Sequence, residues 1–548
     1  MIFGRRLKNS INLFSVVSVI AGMLIIVPML NILVELFSPA SDTWRHIQTH
    51  LLRGYIVNTL LLIGFVAVFS ASIGLFTAYV VTRFDFKGRR LLSWLLILPL
   101  AVPSYIAAYT YADMLSYTGT FSRALRAIGL RHGINIMTLP GAVFIFVMTL
   151  YPYVYMMVKS ALEKQSASFT ENARLLGASK FRSFFTIVLP LLRPALVAGT
   201  LLVVLETLND YGVVAYFNVR VFSFAIFDAW ERLGDISAAI RLSAVLMVIV
   251  FAIIFLERFL RGKRRYTLHV KNRPILRKPL VGLNRYLLPG SLWLIMLFAF
   301  FIPLFQLFYY ARLTYRHVLD ISFIYLVINS LTLAITATFL TILIALMIAN
   351  FNRGRQSAFK RGLLKVTNLG YAIPGAVIAI AVIVFFIDID HALYPLYRLF
   401  NPDTGRLVLT TSLAMLTFAF VLRFMAIGYN SIEAAYDKVG EKFTEAAYSL
   451  NHSKVSTLIR VDLPLIKSGL ISAAIIVFID IIKELPLTLI LRPTNYDTLA
   501  SRVFRYAREE MLQESAVPSL FLIAISTLLI YILTHQKKKG VRIHVRKS

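Results

Sequence analysis

The 548-residue chain contains no cysteine. That excludes a disulfide framework, a thiolate metal site and a cysteine nucleophile. Charge is scarce too, at 15% of residues, and acidic charge is scarcest, with 27 Asp and Glu against 57 Lys and Arg. In a soluble protein a formal net charge of +30 would point to nucleic acid. Here the basic residues cluster in short loops between apolar runs, with no long basic arm and no aromatic-basic platform. Membrane orientation accounts for them, and no nucleic-acid partner is expected. A Gly-x4-Gly-Lys-Ser/Thr loop is also missing, because Gly262-Lys263 runs straight into Arg264. No cofactor is therefore expected in this chain. The nine histidines form no metal-spaced cluster, and no metal site is firmly assigned. The one metal-like group, Asp388-Ile-Asp390-His391, reads as a solvated loop start. With no nucleophile-base constellation either, the chain is not read as an enzyme.

What the chain does have is apolar length. It is 58% hydrophobic, with many runs long enough to cross a bilayer and no sizeable polar stretch for a soluble domain. The expected class is an all-α polytopic membrane protein. Twelve spans are predicted, near 11–37, 55–82, 91–115, 139–162, 190–217 and 240–261, then 286–310, 325–350, 364–388, 407–430, 465–490 and 517–535. The first run follows Arg5, Arg6 and Lys8 but is too long for a signal core, so it reads as a retained span.

The twelve divide into two repeated six-helix halves, 1–262 and 286–548, joined by a basic linker over 263–285. The repeat is clearest in one motif. Glu171-Asn-Ala173, three residues, Gly177, nine residues, then Ile187-Val-Leu189-Pro190 returns 274 positions later. The second copy is Glu445-Ala446-Ala447, then Asn451, then Val461-Asp-Leu463-Pro464. Other pairs follow at an offset of 271, namely Asn58-Thr-Leu60 with Asn329-Ser-Leu331 and Pro103 with Pro374. Those two prolines read as simple bends within a span. Each long motif reads as two short helices with a bend, a knob on the membrane face. Ser168 stands at capping-box spacing before Glu171. Gly177 and Asn451 suit a left-handed helix end, and Pro190 and Pro464 suit the first turn of the next helix.

Basic loops set the expected orientation. Arg83, Lys87, Arg89 and Arg90, their counterparts Arg353, Arg355, Lys360 and Arg361, and the tail lysines 537–539 belong inside. Both termini are then cytoplasmic, as are Glu171 and Glu445. Arg123, Arg126 and Arg131 fall outside, as do Arg502, Arg505 and Arg508, and read as surface or partner-facing segments.

The polar residues inside the spans lie just after each motif. Glu206 and Asp210 in the first half align with Asp480 and Glu484 in the second. Four apart, each pair would share one face of a helix and converge near the axis relating the halves. Two readings stand on sequence alone: the carboxylates line a path, or they cap span ends and pair with Lys483.

The doubled motif resembles the coupling motif of binding-protein-dependent ABC importer permeases, Glu-Ala-Ala-x3-Gly-x9-Ile-x-Leu-Pro. It departs at Asn172 in the first copy and at Asn451 and Val461 in the second. The stretches 205–216 and 483–500 further resemble fused, two-half permeases of bacterial ferric-iron importers. The resemblance implies a type I ABC importer permease in the bacterial inner membrane. It also implies two ATPase subunits docked on the knobs, at Glu171, Ala173, Gly177, Leu189 and Pro190 and at Glu445, Ala446, Ala447, Asn451, Leu463 and Pro464. A periplasmic binding protein would deliver the cargo, ferric iron first, with thiamine, phosphonate or polyamine as alternatives. From the residues, a secondary transporter with repeated halves is the rival class. Ferric iron is a hard cation suited to carboxylate and phenolate oxygens.

Overall fold

The computed structural model describes residues 13–129, 134–164, 179–261, 277–353 and 357–545. Among them, eleven helices are long and apolar enough to cross a membrane, or twelve if one sharply bent pair counts as a span. The first half runs α1 (Leu13–Glu35), α2 (Leu52–Arg83), α3 (Arg89–Leu95), α4 (Ser104–Leu115), α5 (Leu139–Lys164), α6 (Leu189–Asn209), α7 (Gly212–Tyr216), α8 (Phe222–Phe227) and α9 (Ile236–Arg261). The second runs α10 (Asn284–Val318), α11 (Ile321–Asn352), α12 (Ala358–Ala372), α13 (Gly375–Phe400), α14 (Leu413–Val439), α15 (Lys442–Ser449), α16 (Leu463–Ile482), α17 (Pro486–Leu491), α18 (Leu499–Arg508) and α19 (Ala516–Val545). A two-residue parallel pairing joins Phe84–Asp85 to Lys278–Pro279, tying the linker's end to the loop after α2.

The two most buried spans are the least apolar, as expected where the solvent is lipid. The fourth span of each half, α5 and α14, is the most sheltered, with 72% and 67% of its core window buried. These two are also the least apolar, at mean hydropathy 1.8 and 1.5. They hold Tyr151, Tyr155, Tyr429 and Arg423 away from lipid. The flanks of α2 and α11 instead present large apolar side chains outward, among them Phe65, Phe69, Ile335 and Phe339. Close packing relies on small residues. A Cβ on Gly74 of α2 would strike Val154 of α5.

Three expectations about the spans need correction. Pro103 and Pro374 do not merely bend a helix. Each sits in extended backbone, with ψ of 137° and 144°, and begins a new helix, α4 or α13. Around Pro103 the two pieces meet at 88°. A proline disfavours helical backbone in the residue before it, and Val102 is extended accordingly. The fifth spans are likewise shorter than expected. The helices end at Asn209 and Ile482, and the chain restarts as α7 and α17. The segment Asp388-Ile-Asp390-His391 is not a solvated loop start, because it lies within α13. Asp390 is fully buried and accepts from Tyr397 Oη (2.9 Å), Leu409 N (3.0 Å), Thr410 N (2.9 Å) and Thr410 Oγ1 (2.7 Å), clamping the loop that follows.

The Asn-Thr/Ser-Leu repeat gains a structural reason. The Thr59 hydroxyl accepts from Phe222 N at 3.2 Å, and Ser330 accepts from Leu499 N at 2.7 Å. Each hydroxyl satisfies a free amide at the start of α8 or α18. The arginines expected as free surface after α17 are largely neutralised within the chain. Asp497 accepts from Arg492, Arg502 and Arg505, and Arg508 pairs with Glu231 at 2.9 Å.

Candidate functional site

The helix breaks build the site. When α6 stops at Asn209, the next residues leave the helical ladder, and Asp210 Oδ1 accepts from Val213 N at 2.8 Å to start α7. At the equivalent break after α16, Glu484 Oε2 accepts from Leu487 N at 2.9 Å to start α17. The carboxylates therefore do not share a helix face in pairs. Glu206 and Asp480 remain on α6 and α16, whereas Asp210 and Glu484 lie in the breaks, held by capping bonds that a continuous helix would not offer.

All four line one narrow cavity with Arg423 and Lys483, and its water-accessible volume is about 80 Å³. The two cations take separate partners. Lys483 meets Asp480 at 3.1 Å, while Glu484 meets Arg423 at 3.5 Å. Arg423 and Glu484 are both almost fully buried. Glu206 accepts from Tyr371 Oη at 2.8 Å. Arg423 also donates to Asn209, whose Oδ1 accepts from Gly375 N at 2.6 Å. Gly375 has no room for a side chain. A Cβ there would lie 2.9 Å from Asn209 Oδ1 and 3.1 Å from Glu484 Oε1, and would collide with the guanidinium. Arg423 was missed from sequence, although a lone charge inside the run 407–430 is itself the signal of a buried partner.

The side of the cavity away from the knobs carries aromatic rings. Tyr211 lines it and stacks on Phe227 at 3.7 Å, with Phe504 at 5.7 Å. Phe227 and Phe504 stand six residues into the stretches that begin at the capped amides of Phe222 and Leu499. Glu231 and Arg508 are equivalent in the same way, so their ion pair joins matching points of the two halves.

Glu171, Ala173 and Gly177, with Ser168, lie outside the described residues. The second knob is fully described. Helix α15 carries Glu445, Ala446 and Ala447, burying Ala447 and exposing Glu445 and Ala446. It ends in paired bonds, His452 N to Ala447 O at 3.1 Å and Asn451 N to Tyr448 O at 2.9 Å, with Asn451 at φ 65°. That is a Schellman end with asparagine in place of glycine. Leu189 and Pro190, like Leu463 and Pro464, open α6 and α16. A π turn precedes each, Phe184–Val188 and Leu458–Asp462. The knob is braced from beneath. Asp462 accepts from Arg353 at 3.1 Å and from Thr444 at 2.7 Å, and Arg353 reaches Gly440 O at 3.2 Å. These groups border a cavity of about 410 Å³ that also holds Lys360. Burial and the charge of Lys454 pull Lys360 below the usual lysine value, against the opposite pull of Glu441.

With this geometry in hand, the comparisons with known proteins are specific. The family model for the binding-protein-dependent transport system inner membrane component matches residues 70–266 and again 341–537. The Fe(3+)-transport system permease protein FbpB 2 of Haemophilus influenzae is 25% identical over 481 residues, 87% of this chain and 88% of that protein. The sulfate transport system permease protein CysT of Salmonella typhimurium is 32% identical over 202 residues, 36% of this chain and 72% of that protein. A bacterial alginate ABC transporter solved with a pentasaccharide-bound periplasmic protein aligns at TM-score 0.37 and 16% identity, over 46% of this chain and 92% of the matched chain.

Proposed function

The chain belongs to the family of binding-protein-dependent transport system inner membrane components, and from that membership we propose that this ABC importer permease carries ferric iron inward. The observation that carries the cargo is the sign of the cavity between the halves, where four carboxylates face two cations. An excess of carboxylate oxygen suits a hard trivalent cation and disfavours sulfate or a phosphonate. The relative matched across both halves is named for Fe(3+), which supports the same choice, whereas the sulfate permease matches over 36% of the chain.

In this reading a periplasmic binding protein delivers the ion, and two ATPase subunits dock on the knobs. The exposed Glu445 and Ala446 offer the contact, and the Arg353–Asp462–Thr444 brace carries force into α11 and α16. Both termini and both knobs then face the cytoplasm, as the basic loops favour. Closure of the ATPases rocks one half against the other around the cavity, an alternating-access cycle. Inside it the carboxylates give weak, successive oxygen contacts, because an ion held tightly would never leave.

The test is uptake into proteoliposomes holding the permease, its ATPase and the loaded binding protein. ATP-dependent entry of radiolabelled ferric iron, unaffected by excess sulfate, is the expected result. ATP-dependent entry of sulfate or a phosphonate without iron would overturn the cargo, and solute entry indifferent to ATP would overturn the class.

A further inference from the structure

Tyrosines continue from the wall of the cavity. From Pro103 the helix α4 leads away from the side where α2 ends, and Tyr105 and Tyr109 lie one turn apart on one face of it. Tyr105 lines the cavity, within electrostatic range of Asp210 and Glu484. Its ring lies 5.9 Å from that of Tyr109, which lies 4.6 Å from that of Tyr216. Tyr216 is half-buried and within electrostatic range of Asp113 and Glu510, and Asp113 in turn accepts from Tyr310. A file of tyrosine rings thus runs from the neighbourhood of Asp113 to the cavity.

Two members of this file, Tyr105 and Tyr109, are 3% and 2% exposed, and neither hydroxyl has a hydrogen-bond partner among the described residues. A buried hydroxyl without a partner is a cost that phenylalanine would avoid. By contrast, Tyr111 on the same helix donates to Phe298 O at 2.6 Å. The repeat argues against a packing requirement. At the offset of 271 that pairs Pro103 with Pro374, Tyr105 falls on Ala376 and Tyr109 on Ile380. The second half builds the same helix after the same break without hydroxyls, and both counterparts are buried.

We infer that Tyr105 and Tyr109 are cargo-contacting residues, a phenol relay that passes ferric iron from the Asp113 end to the carboxylate cavity. This rests on the ferric-iron reading above. The phenol oxygens offer lone pairs to a hard cation, and a passing contact that does not displace the phenolic proton is weak enough to release the ion. The two rings sit on one rigid helix, which fixes the order of contacts.

The test compares Tyr105→Phe, Tyr109→Phe, the double variant and Tyr111→Phe in proteoliposomes with the ATPase and iron-loaded binding protein. Three readouts are taken: ferric uptake per transporter, ATPase turnover and melting temperature. The double variant is expected to lose tenfold or more of its iron uptake, with ATPase turnover within twofold of wild type and melting temperature unchanged or raised. Tyr111→Phe is expected to melt lower and transport normally per molecule. Wild-type uptake by the double variant overturns the relay alone, as does a loss of uptake that tracks a fall in melting temperature. Wild-type transporter that moves another solute but no iron overturns the relay and the cargo together.

Discussion

Arg423 offers the sharpest test of how the cavity is held together. It is buried in α14 and faces Glu484 at 3.5 Å, inside a cavity that contains three further carboxylates. Unit charges at that distance attract by about 5 kcal/mol at an effective dielectric of about 20. Removing one partner of a buried pair costs about 3–5 kcal/mol, mostly because the survivor keeps its charge without compensation. The two single variants should therefore differ. Arg423→Met strands Glu484 among like charges and should cost the full amount. Glu484→Gln leaves Arg423 with Asn209 and with the other carboxylates nearby, and should cost roughly 1–3 kcal/mol, the range for an impaired buried hydrogen bond. In the double variant neither charge is stranded, so its loss should fall well below the sum of the two. The assay is thermal unfolding of detergent-purified protein, ranked by melting temperature across the cycle. If Arg423→Met melts with the wild type, or if the double variant shows the simple sum, the pair does not hold the cavity and the argument fails.

Gly375→Ala should destabilise by about 1–3 kcal/mol, since its Cβ meets Arg423, Asn209 and Glu484 at once. An unchanged melting temperature would show that the crowding yields cheaply. Asn451→Val should strain the knob by about 1–2 kcal/mol at φ 65°, whereas Asn451→Gly should be tolerated. ATPase co-purification should fall for valine only, and equal recovery for both would remove the left-handed end from the docking argument. Because native cysteine is absent, introduced thiols report orientation cleanly. Thr118→Cys should label with an impermeant reagent in sealed cells and Lys87→Cys should not, and the reverse pattern would invert the topology.

The features legible in the sequence were those that leave a mark on spacing. The repeat and the Leu-Pro positions survive as numbers, and both prolines open long helices as their missing amides favour. What spacing could not reveal was where a helix stops without losing hydropathy. The segments around Asp210 and Lys483 stay apolar on both sides, so periodicity runs through a break that the backbone does not. The four carboxylates stood out as ionisable groups in apolar runs, and the structure sets them around one cavity rather than in pairs on a helix face. Sequence alone left open which carboxylate Lys483 pairs with. In the structure Lys483 reaches back three residues to Asp480, and Glu484 is reached from α14. Asp390 was misread because its donors come from a loop about 20 residues further on, which no local pattern announces.

The division of bonds between and within halves constrains how the halves can move. Arg423 with Glu484, and Lys483 with Asp480, belong wholly to the second half, and the Asp210 cap belongs to the first. The two ion pairs can travel with the second half without either charge losing its partner. Around the cavity, four of the bonds that cross between halves are of another kind: Tyr371 to Glu206, Arg423 and Gly375 to Asn209, and Arg508 to Glu231. Three of these four pair a charged group with a neutral one or a neutral group with another, and the fourth is a partly exposed ion pair. Exposed pairs are worth about 0–1 kcal/mol, so that contact opens cheaply. The buried ion pairs thus lie inside the second half, and the cheaper bonds lie on the surface that must part. A chain required only to stay assembled has no need of this arrangement, whereas one whose halves rock has to keep its desolvated ion pairs off the moving seam.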